Sequence, residues 1–326
     1  MISLKQRIIA AVSDDLAAIE CALTENLNPY FDRVSQVAGH ILFAGGKRLR
    51  PLLMVLCARL CGYSGGYATR FSTMFEYLHA ATLLHDDVVD GADRRRGRQV
   101  AHQVWDTPSA VLTGDFLLAR GLSIAADTGL LAVIRVIAQI TETMSQGEIR
   151  QLEAKGDLSL TEAAYLEVIR CKTAVLFQGA CRTGALLAHA TTDQVDALTD
   201  YGHHLGLAFQ MADDLLDYTQ DGLVMGKTAG ADLREGKVTL PLIHAWSQAP
   251  EPDRARMAAI LKNPGFSVAE FGQLVELLKQ YGGIVYTREQ AQAHIQTAKA
   301  ALQLFGDAAA RTILADIADY ALARKT

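Results

Sequence analysis

The chain has 326 residues, half of them hydrophobic, and a formal net charge of −5, which leaves room for one large domain with a deep core or two modest ones. Acidic and basic residues are spread along most of its length, so no polybasic tract offers a nucleic-acid footprint and no nucleic-acid partner is expected. Five cysteines, at 21, 57, 61, 171 and 181, form an odd set without a CxxC pair, which fits reduced thiols in a cytoplasmic protein and argues against a disulfide framework.

The opening segment, MISLKQRIIAAVSDDL, has only a short apolar run before Asp14 and Asp15 and lacks the hydrophobic stretch of a secretory signal. From there apolar residues recur at three- and four-residue spacing almost everywhere, while alternating β-branched runs are nearly absent; the pattern predicts an all-α protein of roughly ten or more helices. The few prolines, such as Pro51 and those at 250 and 252, fall where helices should start or stop. GGKRLRP at 45–51 offers Lys47, Arg48 and Arg50 after two glycines. The apolar helical run FEYLHAATLLH then leads into DDVVD at 86–90, followed by RRRGR at 94–98. The most membrane-like window, 121–140, carries Asp127 and Arg135; both would be costly in lipid, so no transmembrane segment is expected. A second apolar run, YGHHLGLAFQMA, ends in DDLLD at 213–217. After it, the polar, glycine-rich residues 219–241 make a candidate lid or phosphate-binding loop. No linker divides the chain, which predicts a single domain over 1–326.

The repeated pentapeptide carries the chemistry. On a helix the first and fifth residues lie one turn apart on one face, so Asp86 points with Asp90 and Asp213 with Asp217, while Asp87 and Asp214 stand about 100° around. Carboxylates this close repel one another unless a cation compensates. Oxygen-only ligands favour magnesium, which is commonly shared between one or two carboxylates and substrate phosphates. A lone acidic cluster is ordinarily a solvated helix face. Two copies that each close an apolar run, with basic residues suited to phosphate nearby, predict two acidic claws holding a diphosphate through bridging metals.

Taken in order, GGKRLRP, LLHDDVVD, RRG at 95–97, GDFLLAR at 114–120, QGE at 146–148, KTA at 172–174, FQMADDLLD at 209–217, GK at 226–227 and GKVTLP at 236–241 make the chain resemble the trans-polyprenyl diphosphate synthase family over most of its length. The resemblance implies the isoprenoid synthase type I fold, a single helical bundle around a central substrate cavity. It implies Asp86, Asp90 and Asp213 as the principal ligands of magnesium, three ions with diphosphate bound, supported by Asp87, Asp214 and Asp217. Arg95, Lys172, Lys227 and Lys237 would hold an allylic diphosphate, farnesyl or geranyl, and Lys47, Arg50, His79 and Arg96 would hold isopentenyl diphosphate. Thr173 and Gln210 would line the path of the developing cation. GRQVAH at 97–102 departs from the GKPT-type continuation common after RRG and leaves that loop's contacts open.

The implied reaction is magnesium-assisted ionisation of the allylic diphosphate, attack by the isopentenyl double bond, and loss of a proton. The growing tail needs a dry channel, for which the helix before the first claw is the expected wall. Ala81 and Thr82 stand where short-chain relatives place a bulky floor, with Leu78, Tyr77 and Met74 further down. That pattern predicts a long-chain product of the octaprenyl class, with geranylgeranyl or medium length as the alternative. The family also implies a cytoplasmic homodimer, with peripheral membrane contact on product release left open. Two rival readings are a class I terpene cyclase, whose second metal motif normally mixes Asn or Asp with Ser or Thr and Glu, and a non-catalytic subunit of a heteromeric synthase. DDLLD argues against the first, and intact acidic and basic motifs argue against the second.

Overall fold

Helices make up nearly every element, as the apolar spacing predicts. The computed structural model describes residues 3–27, 31–219, 230–263 and 265–323. The first helices are α1 (Leu4–Leu27), α2 (Asp32–Leu42), α3 (Leu49–Leu60), α4 (Ala68–Val89), the single turn α5 (Ala101–Val104), α6 (Thr107–Asp127), α7 (Leu131–Glu153) and α8 (Glu162–Ile169). A π-helical turn, Arg170–Ala174, joins α8 to α9 (Val175–Leu187). Then come α10 (Thr192–Thr219), the single turn α11 (Ala231–Arg234), α12 (Leu240–Gln248), α13 (Glu251–Leu261), α14 (Val268–Gln280), α15 (Gly283–Ala301) and α16 (Ala309–Ala323).

Local chemistry sets several boundaries. Asp106 caps α6 by accepting the Ser109 amide at 2.6 Å, with a proline in the first turn. Ser267 and Glu270 cap α14 reciprocally. Residues 128–130, with Gly129 at φ 69°, separate α6 from α7, so the apolar window 121–140 is two helices rather than one span. One helix among the described residues, Thr107–Asp127, is long and apolar enough to cross a membrane by length and composition. Ala110, Thr113, Gly114, Leu117, Gly121 and Ile124 of that helix are buried in the protein.

The chain folds as two compact units, each assembled from separate stretches of sequence. The first comprises Met1–Glu142, Leu176–Gly202 and Ala301–Ile317, and the second Thr143–Val175, His203–Ala300 and Ala318–Thr326. In the first unit α4 packs on α1, α3 and α6, which buries Met74, Phe75, Tyr77, Leu78, Ala81 and Leu84. The contact between α4 and α6 is close because Gly114 faces His85 and Gly121 faces Leu78: a Cβ at position 114 would collide with the imidazole. In the second unit α12, α13 and α14 enclose Leu242, Met257, Leu274 and Leu278, and a smaller cluster gathers Tyr165, Ile169, Ala174, Met211 and Ala291.

The basic run 94–98 is not helical. Arg94–Arg95 (β1) and Arg98–Gln99 (β2) pair as a two-residue antiparallel hairpin. Its central residues, Arg96 at φ 51° and Gly97 at φ 77°, both lie in the left-handed region, the backbone of a type I′ turn. An arginine there is strained where glycine is not, and such strain is characteristic of functional sites. Helical periodicity gave no hint of this turn.

Candidate active site

In the first unit, α4 delivers the first acidic cluster at its C-terminal end. Asp86 and Asp90 are partly exposed, whereas Asp87 is 2% exposed. Arg95 Nε donates to Asp87 Oδ1 at 2.7 Å. Desolvation raises the Asp87 carboxyl above its ordinary value, against the pull of Arg95. The helix therefore divides its aspartates, the first and fifth facing outward and the second turned into the protein.

Around this cluster the first unit collects cations. Arg50, Arg96, Arg95 and Arg48 all act on His79, and burial, the larger effect, together with their charge holds its imidazole well below the usual histidine range. His79 is therefore neutral near pH 7 and can present one nitrogen as donor and the other as acceptor. Lys47 is exposed at the surface. The Arg50 guanidinium lies over the Phe177 ring, 5.0 Å from its centroid. Cationic side chains from three segments, the turn before α3, α3 itself and the hairpin, thus converge on a neutral histidine, an arrangement suited to a phosphate-bearing ligand.

Arg48, which carried no assigned role, is the structural anchor of that group. It adopts φ 46° just before α3 and is 5% exposed. Its Nε donates to Glu20 at 2.6 Å, Nη1 to Glu76 at 2.7 Å and Nη2 to the Leu42 carbonyl at 2.6 Å. One guanidinium thereby ties α1, α2 and α4 to the turn that carries Lys47 and Arg50. The sequence gives no signal for this: Arg48 reads as one more basic residue of GGKRLRP, and Glu76 as an ordinary helix glutamate.

The second unit repeats the division. At the end of α10, Asp213 and Asp217 are partly exposed and Asp214 is 2% exposed. Tyr165 OH donates to Asp214 Oδ2 at 2.5 Å and Gln210 Nε2 donates to Oδ1 at 2.8 Å. Burial, with the nearby charge of Asp232, pushes the Asp214 carboxyl up to about 8 although both donors work in the other direction. Asp217 accepts the backbone amides of Ala231 and Asp232 at 3.1 and 3.2 Å, which fastens the start of α11 to the end of α10. Residues 230–241 therefore contain an anchored helical turn rather than a continuous loop. Gly226 and Lys227 lie outside the described residues.

The π-helical turn places Lys172 and Thr173. Gly147 of α7 faces Cys171 so closely that a Cβ would collide with it, and this approach brings Lys172 Nζ to within 2.5 Å of Glu148 Oε2. Thr173 Oγ1 donates to Gln210 Oε1 at 2.7 Å. Lys237 pairs with Glu235. Glu148 and Tyr165 are participants that the sequence reading left without a role. QGE was visible as a motif, and Tyr165 precedes Lys172 by seven residues, but neither spacing reveals a partner.

The proposed chain-length positions lie along α4. Ala81 and Met74 are fully buried and Leu78 is 1% exposed; Thr82 is partly buried and donates to the His79 carbonyl at 2.9 Å. Tyr77 donates to the Leu23 carbonyl of α1 at 2.6 Å, so its ring is held toward α1. Leu78 and the Met74 carbonyl instead meet Gly121 of α6.

The donor set suits a hard divalent cation: each cluster carries two partly exposed carboxylates one helical turn apart, and all of their donors are oxygen. Magnesium fits these residues, with Asp86, Asp90 and Asp213 as the groups that would hold it and Asp217, whose oxygens accept the Ala231 and Asp232 amides, in support.

The family model for polyprenyl synthetase matches residues 31–278. An octaprenyl diphosphate synthase of Escherichia coli is 38% identical over 321 residues, 98% of either chain. Among solved structures, a decaprenyl diphosphate synthase from Rhodobacter capsulatus superposes with a TM-score of 0.91 at 40% identity, covering 98% of this chain and 99% of that one. A geranylgeranyl pyrophosphate synthetase from Pyrococcus horikoshii superposes at 0.90 with 29% identity, covering 99% and 100%.

Proposed function

The chain belongs to the polyprenyl synthetase family, and on that premise we propose that it extends an allylic diphosphate with isopentenyl diphosphate to a long-chain product of about C40 (the octaprenyl class). The observation that carries the product class is the match over nearly the whole chain to an octaprenyl diphosphate synthase. Ala81, a small buried residue five positions before Asp86, supports it by leaving the α4 wall without a bulky floor. The likeness to a geranylgeranyl synthetase keeps a shorter product as the second reading.

In this reading Asp86, Asp90 and Asp213 would hold magnesium, three ions with diphosphate bound. Bound magnesium supplies Lewis-acid neutralisation of the charge that builds on the departing diphosphate. Arg95, Lys172, Lys227 and Lys237 grip that diphosphate; Lys47, Arg50, Arg96 and neutral His79 grip isopentenyl diphosphate. As the allylic C–O bond breaks, the Thr173 and Gln210 oxygens face the resulting cation and stabilise it electrostatically. The isopentenyl double bond attacks the cation, and the departed diphosphate takes up the proton whose loss regenerates an allylic diphosphate one unit longer. The pairing of Asp87 with Arg95 and of Asp214 with Tyr165 and Gln210 makes the two middle aspartates positioning groups rather than direct ligands. We further infer a cytoplasmic homodimer primed by farnesyl or geranyl diphosphate, which touches the membrane peripherally to release product.

Incubation of the purified protein with magnesium, labelled isopentenyl diphosphate and primers of graded length, followed by dephosphorylation and sizing, tests the reading. A ladder ending near C40 is expected. A cyclic hydrocarbon, or no incorporation without an added second subunit, would overturn it.

A further inference from the structure

The buried tyrosine Tyr165 has no place in the reaction as described, yet it terminates a continuous chain of hydrogen bonds that begins at Thr173. Its ring is 3% exposed, and its hydroxyl sits 2.5 Å from Asp214 Oδ2. The opposite carboxylate oxygen accepts from Gln210 Nε2 at 2.8 Å, and the far end of that amide accepts from Thr173 Oγ1 at 2.7 Å. All four residues belong to the second unit, and three separate elements contribute them: α8, the π-helical turn and α10.

The polarity along this chain is determined by its end. Asp214 Oδ1 accepts from Gln210 Nε2, so the amide presents its NH2 group to the carboxyl. The amide is rigid, so presenting NH2 to Asp214 turns the carbonyl toward Thr173. That carbonyl can only accept, so Thr173 must spend its single hydroxyl hydrogen there. The lone pairs of Thr173 are then its remaining polar face. Without an anchored carboxylate, the Gln210 amide is free to flip, and a flipped amide would donate to Thr173 and rotate the hydroxyl hydrogen outward. A hydrogen pointed at a carbocation repels it, whereas lone pairs attract it. A fixed hydroxyl orientation therefore acts on ionisation and is nearly neutral for binding of the intact diphosphate.

We propose that Tyr165 is a positioning residue for the reaction: by holding Asp214 in place it locks the Gln210 amide and, through it, the outward lone pairs of Thr173. This rests on the prenyl-transfer reading above. The π-helical turn is part of the same device, since the extra residue in the turn, Arg170–Ala174, sets the register at which Thr173 meets Gln210; such bulges recur at functional sites. Nothing in the mechanism requires Tyr165 to touch substrate, since its hydroxyl is committed to Asp214.

Tyr165→Phe removes one oxygen and preserves the ring that packs with Ile169, Leu207 and Met211. Steady-state kinetics with magnesium, isopentenyl diphosphate and an allylic primer should give a kcat about tenfold lower (~1.4 kcal/mol), with KM for both substrates within about twofold of wild type. The double variant Tyr165→Phe, Thr173→Val should be no slower than Thr173→Val alone, because the tyrosine acts only through the threonine. Independent, multiplicative losses, or a Tyr165→Phe enzyme with normal kcat, would overturn the proposal. If Tyr165→Phe loses its helical circular dichroism, Asp214→Asn serves instead. Its amide cannot accept both donors, and the same kcat-only defect, again masked by Thr173→Val, is expected. An inactive wild-type protein would count against prenyl transfer itself; an active wild type with additive variants counts against Tyr165 alone.

Discussion

Replacing Arg48 tests whether the basic turn before α3 is held by a buried ion pair or merely decorated by one. The two carboxylates that share this guanidinium differ sharply in environment: the Glu76 side chain is 8% exposed and that of Glu20 is 45% exposed. Arg48→Ala leaves Glu76 as a buried charge without its hydrogen-bonded partner, a situation that costs about 3–5 kcal/mol, and it also orphans the Leu42 carbonyl. Arg96 remains close enough to Glu76 to offset part of this electrostatically, which places the expected loss near the lower end, about 3 kcal/mol. Glu20→Gln breaks only the half-exposed arm and should cost about 0–1 kcal/mol. Arg48→Lys falls between them, because a single ammonium cannot reach two carboxylates and a carbonyl in the forked geometry. Equilibrium urea unfolding followed by circular dichroism, extrapolated to water, measures all three. The reasoning fails if Arg48→Ala and Glu20→Gln are destabilised equally, or if Arg48→Ala loses less than about 1 kcal/mol.

Asp86→Ala or Asp213→Ala should nearly abolish turnover in the product-sizing assay while the helical circular dichroism stays intact; near-normal turnover would rule out the metal assignment. Ala81→Phe should shorten the product ladder, and an unchanged distribution would show that Ala81 does not face the growing tail. Burial, with His204 and His203 nearby, lowers His294 from its ordinary value of 6.5 to about 4. The unfolded chain thus takes up a proton near pH 6.5 that the folded chain refuses until about pH 4. Stability from this site is complete above pH 6.5 and falls as pH drops toward 4. Thermal melts at pH 7 and pH 5 should therefore differ less for His294→Asn than for wild type, and an NMR titration of the His294 ring with a midpoint near 6.5 would contradict the assignment.

The parts of the fold that repeat along a helix were legible in the sequence. The two pentapeptides close α4 and α10, as the apolar runs before them predict, and the outward pairing of Asp86 with Asp90 and of Asp213 with Asp217 follows from helical spacing alone. Spacing places Asp87 and Asp214 a quarter-turn away but cannot say whether that side is water or protein. Arg95 and Tyr165, the residues that decide it, come from other segments. The hairpin at 94–99 escaped because a run of arginines has no apolar alternation, and only Gly97 hinted at the turn. The π-helical turn at Arg170–Ala174 is equally silent, since one added residue within a helical run leaves no compositional trace. GDFLLAR and QGE were visible as motifs, yet the reason for their glycines, clearance for His85 and for Cys171, appears only once the neighbouring helices are in place.

The split orientation of each aspartate triplet has a practical consequence for anyone transplanting the pentapeptide into another helical scaffold. Copying DDxxD supplies two partly exposed carboxylates and, unavoidably, a third aimed at the host's interior. A recipient lacking a counterpart to Arg95, or to the Tyr165 and Gln210 pair, would have to solvate or protonate that buried group. The graft would then weaken the helix it was meant to equip, so the minimal portable unit is the pentapeptide together with the donor behind it.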